Sequence, residues 1–105
     1  MSAQGLLLVM ADIAPEHEEE FNRWYEEEHL DERIAIPGFL SARRFTALEG
    51  SPKYLAIYDL ESPEVLQSPA YRHINGPGKS ERTKRMESLM TYRRNVYVSL
   101  SERRK

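Results

Sequence analysis

The histidine best placed for chemistry stands among aromatic residues, in the run Phe21-x-x-Trp24-Tyr25-x-x-x-His29. At about 100° per residue in a helix, Phe21, Trp24, Tyr25 and Glu28 fall within one arc and His29 lies at its edge. Tyr25 precedes His29 by one turn, so the two side chains can meet. An imidazole on an aromatic face, with Glu28 and Glu32 close in sequence, can be tuned around neutral pH to work as general acid or base. Tyr25 or Tyr58 would then orient a substrate, and Trp24 and Glu28 would border it. The same spacing fits an inert boundary histidine held by hydrogen bonds, and it fits Trp24 as a core residue.

A second group surrounds this helix in the expected fold. In Lys53-Tyr-Leu-Ala-Ile-Tyr-Asp-Leu60, alternation puts Tyr54, Ala56 and Tyr58 on one strand face. Tyr97, on the last strand, is expected to share that face, and Arg43 or Arg44 would bring a guanidinium to a carboxylate or phenolate. Such tyrosines also serve as ordinary core or cross-strand pairs. Together they suit a pocket for a flat, partly polar aromatic ligand. Tyr71 and His73 lie in Ser68-Pro-Ala-Tyr-Arg-His-Ile-Asn-Gly-Pro-Gly78, a segment able to form a lid or rim.

Other chemistries are excluded by composition or spacing. The chain has no cysteine, which removes disulfides, thiolate metal sites and cysteine nucleophiles and fits a cytoplasmic location. His17, His29 and His73 show no metal-ligand spacing, and Gly76-Pro-Gly78 is no phosphate-binding or dinucleotide loop. A net charge of -2 gives no reason to expect nucleic acid, although the segment from Arg82 to Lys105 is basic and that from Glu16 to Glu32 acidic. The apolar run Leu6 to Ala11 is too short for a signal core or a membrane span.

These residues need elements to hold them. With 105 residues, 40% of them hydrophobic and 30% charged, the chain fits one soluble domain over residues 1–105. Gly5 to Ile13 reads as a central strand. Ala14-Pro15 opens a helix reaching about Arg33, its first turn acidic as the helix dipole favours, while Leu30 and Ile34 fall off the aromatic arc and predict an end, a bend or a second covering surface. Pro37-Gly38 marks a turn into a strand over 39–46, which pairs as a hairpin with the strand over 53–60. A helix is expected from Glu64 to about Tyr71, a second helical piece from about Ser80 to Leu89, and a last strand from Asn95 to Leu100, followed by a basic, frayed tail at 101–105. The order is βαββαβ, an α+β ferredoxin-like domain whose four-stranded antiparallel sheet carries two helical segments on one face. The other face needs a cover, and a second copy of the sheet supplies one.

The helix histidine, Pro37-Gly-Phe39 and the aromatic strand Tyr54 to Leu60 resemble the EthD-like branch of the dimeric α+β barrel superfamily. That resemblance implies a homodimer with a pocket in each chain between helices and sheet. It further implies a cofactor-free enzyme of the monooxygenase, isomerase, lyase or cyclase type acting on an aromatic or lactone-like metabolite. Tyr71 with His73 is the nearest counterpart of the Tyr and His that act together in cyclase-like members. The alternative is a non-catalytic ligand-binding or accessory homodimer of a catabolic pathway.

Overall fold

In the computed structural model, which describes residues 4–105, four antiparallel strands form one sheet in the order β2-β3-β1-β4. β1 (Gly5–Ile13) is central, flanked by β3 (Tyr54–Leu60) and β4 (Met90–Val98), and β2 (Phe39–Thr46) extends the sheet beyond β3. The helical segments pack on one face. This is the ferredoxin-like α+β architecture the sequence predicts.

The first helical stretch begins with a 3-10 turn at Pro15–His17 and continues as α1 (Glu18–Trp24), a π-helical turn (Tyr25–His29) and α2 (Leu30–Ile34). Proline at the start costs no hydrogen bond, and Glu18, Glu19 and Glu20 complement the positive end of the helix dipole. The irregularity predicted near Leu30 is this π turn, where Leu30 N–H donates to the Tyr25 carbonyl five residues back. Leu30 packs against the core and Ile34 is exposed.

The second helical stretch differs from expectation. A 3-10 segment at Pro63–Gln67 stops at Ser68, whose extended backbone precedes Pro69, and α3 (Pro69–Ile74) starts afresh with the Ser68 side chain accepting from Tyr71 N–H. Ser80 caps α4 (Glu81–Leu89) in the same way. β4 begins at Met90, five residues before the predicted strand, because pairing with β1 continues from Gly5↔Val98 to Ile13↔Met90. Strand pairing supplies backbone partners even where Thr91 to Arg94 lack an apolar pattern.

Strand parity divides the molecule. Leu7 and Ala11 of β1 and Ala56 and Tyr58 of β3 point toward the helices, where they are buried with Phe21, Trp24, Leu60, Met86 and others. Leu6, Leu8 and Met10 alternate with them and lie opposite Asp59, Ile57 and Leu55 on the outer face. β1 reads as continuously apolar because both faces are apolar, although only one is covered within the chain.

Gly38 makes the turn into β2. Its φ is +95°, and a Cβ there would overlap the Val65 side chain. Gly38→Ala is therefore expected to destabilise the fold by about 2–4 kcal/mol, from left-handed backbone strain plus overpacking. Denaturant unfolding against Gly50→Ala measures it, since Gly50 has φ +89° and open space. A similar loss in both variants would leave backbone strain as the sole cause.

Candidate active site

The π turn builds the site. Five residues along an α-helix turn through about 500°, leaving their side chains about 140° apart. The wider π turn brings Trp24 and His29 onto one side instead, with their rings stacked at a centroid distance of 4.3 Å. Tyr25 meets His29 edge-on at 5.1 Å. Trp24 is 1% exposed and His29 7% exposed, so the imidazole lies inside the molecule rather than at its boundary.

A second set of contacts fixes the tryptophan. Trp24 Nε1–H points at Thr83 Oγ1 and Glu28 Oε2, both at 3.1 Å, and the Glu28 carboxylate also accepts from Ser80 Oγ at 2.9 Å and Thr83 Oγ1 at 3.2 Å. The network ties the π turn to the start of α4. It satisfies the indole N–H and a half-buried carboxylate that would otherwise be costly to bury.

Beside the His29 ring lies a cavity of about 90 Å³ between helices and sheet. Its floor is Leu7, Val9 and Tyr58 from the sheet, its inner wall Trp24, Tyr25, His29 and Arg33, and its far side Tyr71, Asn75, Lys79, Glu87, Met90, Tyr92 and Arg94. Arg33, one turn after His29, is 6% exposed; its Nε donates to His29 Nε2 at 3.4 Å and its Nη2 to Asn75 Oδ1 at 3.1 Å. Nε2 thus accepts, and the neutral imidazole carries its proton on Nδ1. The nearest carboxylate to Nδ1 is Glu32, at 3.9 Å and beyond hydrogen-bond range.

Electrostatics keep the buried imidazole and phenols of this site uncharged, and the one carboxylate in the lining, Glu87, is paired with Lys79 at 2.7 Å. Burial, followed by the positive charges of Arg33, Lys79 and Arg44, lowers the His29 pKa from 6.5 to about 3. Burial raises the pKa of Tyr25 and of Tyr58, so both phenols stay protonated. Three buried side-chain polar atoms among the described residues have no hydrogen-bond partner: His29 Nδ1, Arg33 Nη1 and Tyr58 Oη. All three belong to residues lining the cavity.

Of the residues singled out in the sequence, Trp24, Tyr25, His29, Tyr58 and Tyr71 line this cavity, and Glu28 stands behind Trp24. Tyr54 shares the face of Tyr58 but sits at the far end of β3, packed on Phe21 at 5.1 Å and near Asn22 and Arg44. Arg43 lies on the outer face, 3.1 Å from Asp59, while Arg44 crosses to the helix side with its guanidinium 4.2 Å from the Tyr25 ring centre. Tyr97 does not share the face of Tyr54 and Tyr58. It pairs with Leu6, so the β1–β4 register places it on the outer face. His73 is exposed at the end of α3, against Gly78, and Tyr71 turns inward alone. Arg33, Asn75, Lys79, Glu87 and Arg94 join the site without having been singled out. Arg33 had a readable signal, since it stands four residues after His29. The others come from a loop, α4 and β4, whose approach no local pattern announces. No group of three or more His, Cys, Asp or Glu among the described residues is arranged to hold a metal ion.

No family model matches this chain, and no curated protein matches it. Solved structures do share its fold. A putative monooxygenase from Shewanella loihica superposes with a TM-score of 0.69 at 15% identity, over 97% of this chain and 99% of the other. SnoaB, a cofactor-independent oxygenase from Streptomyces nogalater, gives 0.67 at 13% identity, over 96% and 97%. The heme-degrader MhuD from Mycobacterium tuberculosis gives 0.66 at 14% identity, over 93% and 97%. The chain therefore has the fold of small monooxygenase-like α+β proteins along nearly its whole length.

Proposed function

We propose that this protein is a cytoplasmic small-molecule enzyme of the monooxygenase type, in the EthD-like branch of the dimeric α+β barrels, acting on an aromatic or lactone-like metabolite without a bound cofactor. The observation that carries the reading is the partly open, aromatic-lined cavity holding a neutral imidazole and buried, unpartnered polar atoms on three of its lining residues. Buried polar atoms in native interiors are almost always paired with protein, water or a bound group, so three such atoms around one cavity suit a site that takes a polar ligand. The oxygenases among the structural neighbours favour oxygen chemistry over isomerisation or cyclisation.

In this reading the substrate displaces the long 3.4 Å contact from Arg33 Nε, His29 Nε2 takes the substrate's proton, Tyr25 and Tyr58 donate hydrogen bonds to its oxygens, and the Trp24 ring braces the imidazole. The electron-rich anion then reacts with O2. For a ring CH2 oxidised to C=O, one oxygen atom enters the product and the other leaves as water, and the substrate supplies all four electrons. Two copies of the chain pack through their outer sheet faces, where Leu6, Leu8, Met10, Leu55 and Ile57 stand only partly covered and Phe45 is exposed.

The test is turnover of a panel of hydroxylated aromatics and aromatic lactones under ¹⁸O2. One labelled atom is expected in product and one in water, with uptake of one O2 per product and none under argon. Absence of oxygen uptake and of product across the panel would overturn the reading.

A further inference from the structure

Arg33 is buried without a counter-charge. Its guanidinium spends Nε on His29 and Nη2 on Asn75, both uncharged, and rests 5.3 Å from the Tyr71 ring centre. Among the described residues no carboxylate oxygen lies within 4.0 Å of it, because Glu87 is paired with Lys79 at 2.7 Å and Glu32 faces His29. The remaining nitrogen, Nη1, is enclosed and unpartnered. Arg94 stands at the cavity mouth on β4, donating to Tyr71 Oη at 3.0 Å, and it too has no carboxylate partner among the described residues. With Lys79 offset by Glu87, the cavity carries two uncompensated positive charges.

A buried arginine normally has a carboxylate or phosphate beside it, since removal from water costs more than neutral hydrogen bonds return. Asp31 and Glu32 precede it in the sequence, yet Glu32 lies only within longer electrostatic range and neither carboxylate forms an ion pair with its guanidinium. No side chain among the described residues fills the enclosed Nη1 position, which leaves it to a ligand. Only a planar or single-point oxygen fits, because one guanidinium nitrogen remains and the adjoining lining is aromatic.

We propose that Arg33 is an oxyanion-binding residue, so that the ligand of this cavity is an aromatic compound carrying an ionised oxygen held at Nη1, with the Tyr58 hydroxyl as second donor and Arg94 drawing it in. This rests on the functional reading above and names its substrate class: an acid. The negative oxygen is either a carboxylate substituent that persists through the reaction or the phenolate that the reaction itself requires. Burial is the main cause of the low His29 pKa; a bound anion would offset the added effect of Arg33, Lys79 and Arg44 and so raise the basicity of the imidazole when substrate is present.

Trp24, the single tryptophan of the chain, lines the cavity and reports its occupancy by fluorescence. Full-length protein is titrated with benzoate, with benzamide as its neutral counterpart, and with 4-nitrophenol across its own ionisation, whose yellow anion is seen directly. The anion is expected to bind more tightly than its neutral counterpart by roughly 10- to 100-fold, as hydrogen bonds to charged groups do. Arg33→Gln should abolish that preference and Arg33→Lys keep part of it, because lysine restores the charge without the fork. Preference for benzoate alone assigns a persistent carboxylate; preference for 4-nitrophenolate alone assigns the substrate's ionised ring oxygen. Equal binding of anion and neutral compound in the wild type, or an undiminished preference in Arg33→Gln, overturns the proposal. These titrations need no turnover: anion preference with no oxygen uptake by any anionic aromatic keeps the site and removes the enzyme reading.

Discussion

Replacing His29 with alanine is expected to lower turnover by roughly 10² to 10⁴, the usual contribution of a positioned general base, while the chain still folds. Folding should survive because Trp24 keeps its bonds to Glu28 and Thr83, and the vacated space opens onto an existing cavity that water can enter. The loss should fall on kcat more than on KM, since Arg33, Tyr25 and Tyr58 still bind substrate. Added imidazole should restore part of the rate by occupying the space the ring leaves. A purely structural histidine would give neither the kcat-selective loss nor the rescue, and unchanged turnover would remove His29 from the mechanism. The free enzyme's His29, with a pKa near 3, is already deprotonated at neutral pH. Its titration should therefore leave no limb in kcat/KM between about pH 5 and 8, whereas kcat, which reports the liganded site, should show one shifted upward.

The second large effect is acid sensitivity of the fold. His29 has a folded pKa of about 3, lowered from 6.5. Between those values the unfolded chain binds a proton that the folded chain refuses, so stability rises with pH through this window. The contribution is fully present above about 6.5 and is lost as pH falls toward 3, amounting to about 4–5 kcal/mol over the whole interval. Urea midpoints between pH 7 and 3.5 measure it in wild type and in His29→Gln. The variant, with no ionisable ring at this position, should show a markedly shallower decline. Equal slopes would mean that the imidazole reaches solvent in the folded state. The sign also separates His29 from an ion-paired histidine, which would add stability on acidification.

Much of the scaffold was legible because it follows from short-range patterns. The continuous apolar run of β1, the 2-residue alternation of Tyr54, Ala56 and Tyr58, the Pro37-Gly38 turn and the acidic start of the first helix each reflect local backbone chemistry. The βαββαβ order follows from them. The off-arc positions of Leu30 and Ile34 correctly signalled an irregularity, although not its form. A one-residue change in helical pitch leaves no composition signature, yet it moved His29 from the edge of the arc into stacking with Trp24.

What only the tertiary structure decided depends on register and on charge. Tyr97 falls on the outer face because pairing along β4 runs from Met90 and sets its parity against β1, a choice made by strand pairing rather than by the residues near it. Arg33, in the acidic segment Leu30-Asp-Glu-Arg33, reads locally as a solvated helix residue. Its burial depends on Asn75 and Tyr71 arriving from more than 35 residues away. The amino-acid sequence by itself determined a helix-on-sheet domain with an aromatic-histidine face, because hydrophobic periodicity acts over a few residues. The cavity and its unbalanced positive charge arise where loop, helix and edge strand meet, and the energy of a buried charge is set by all the groups around it at once.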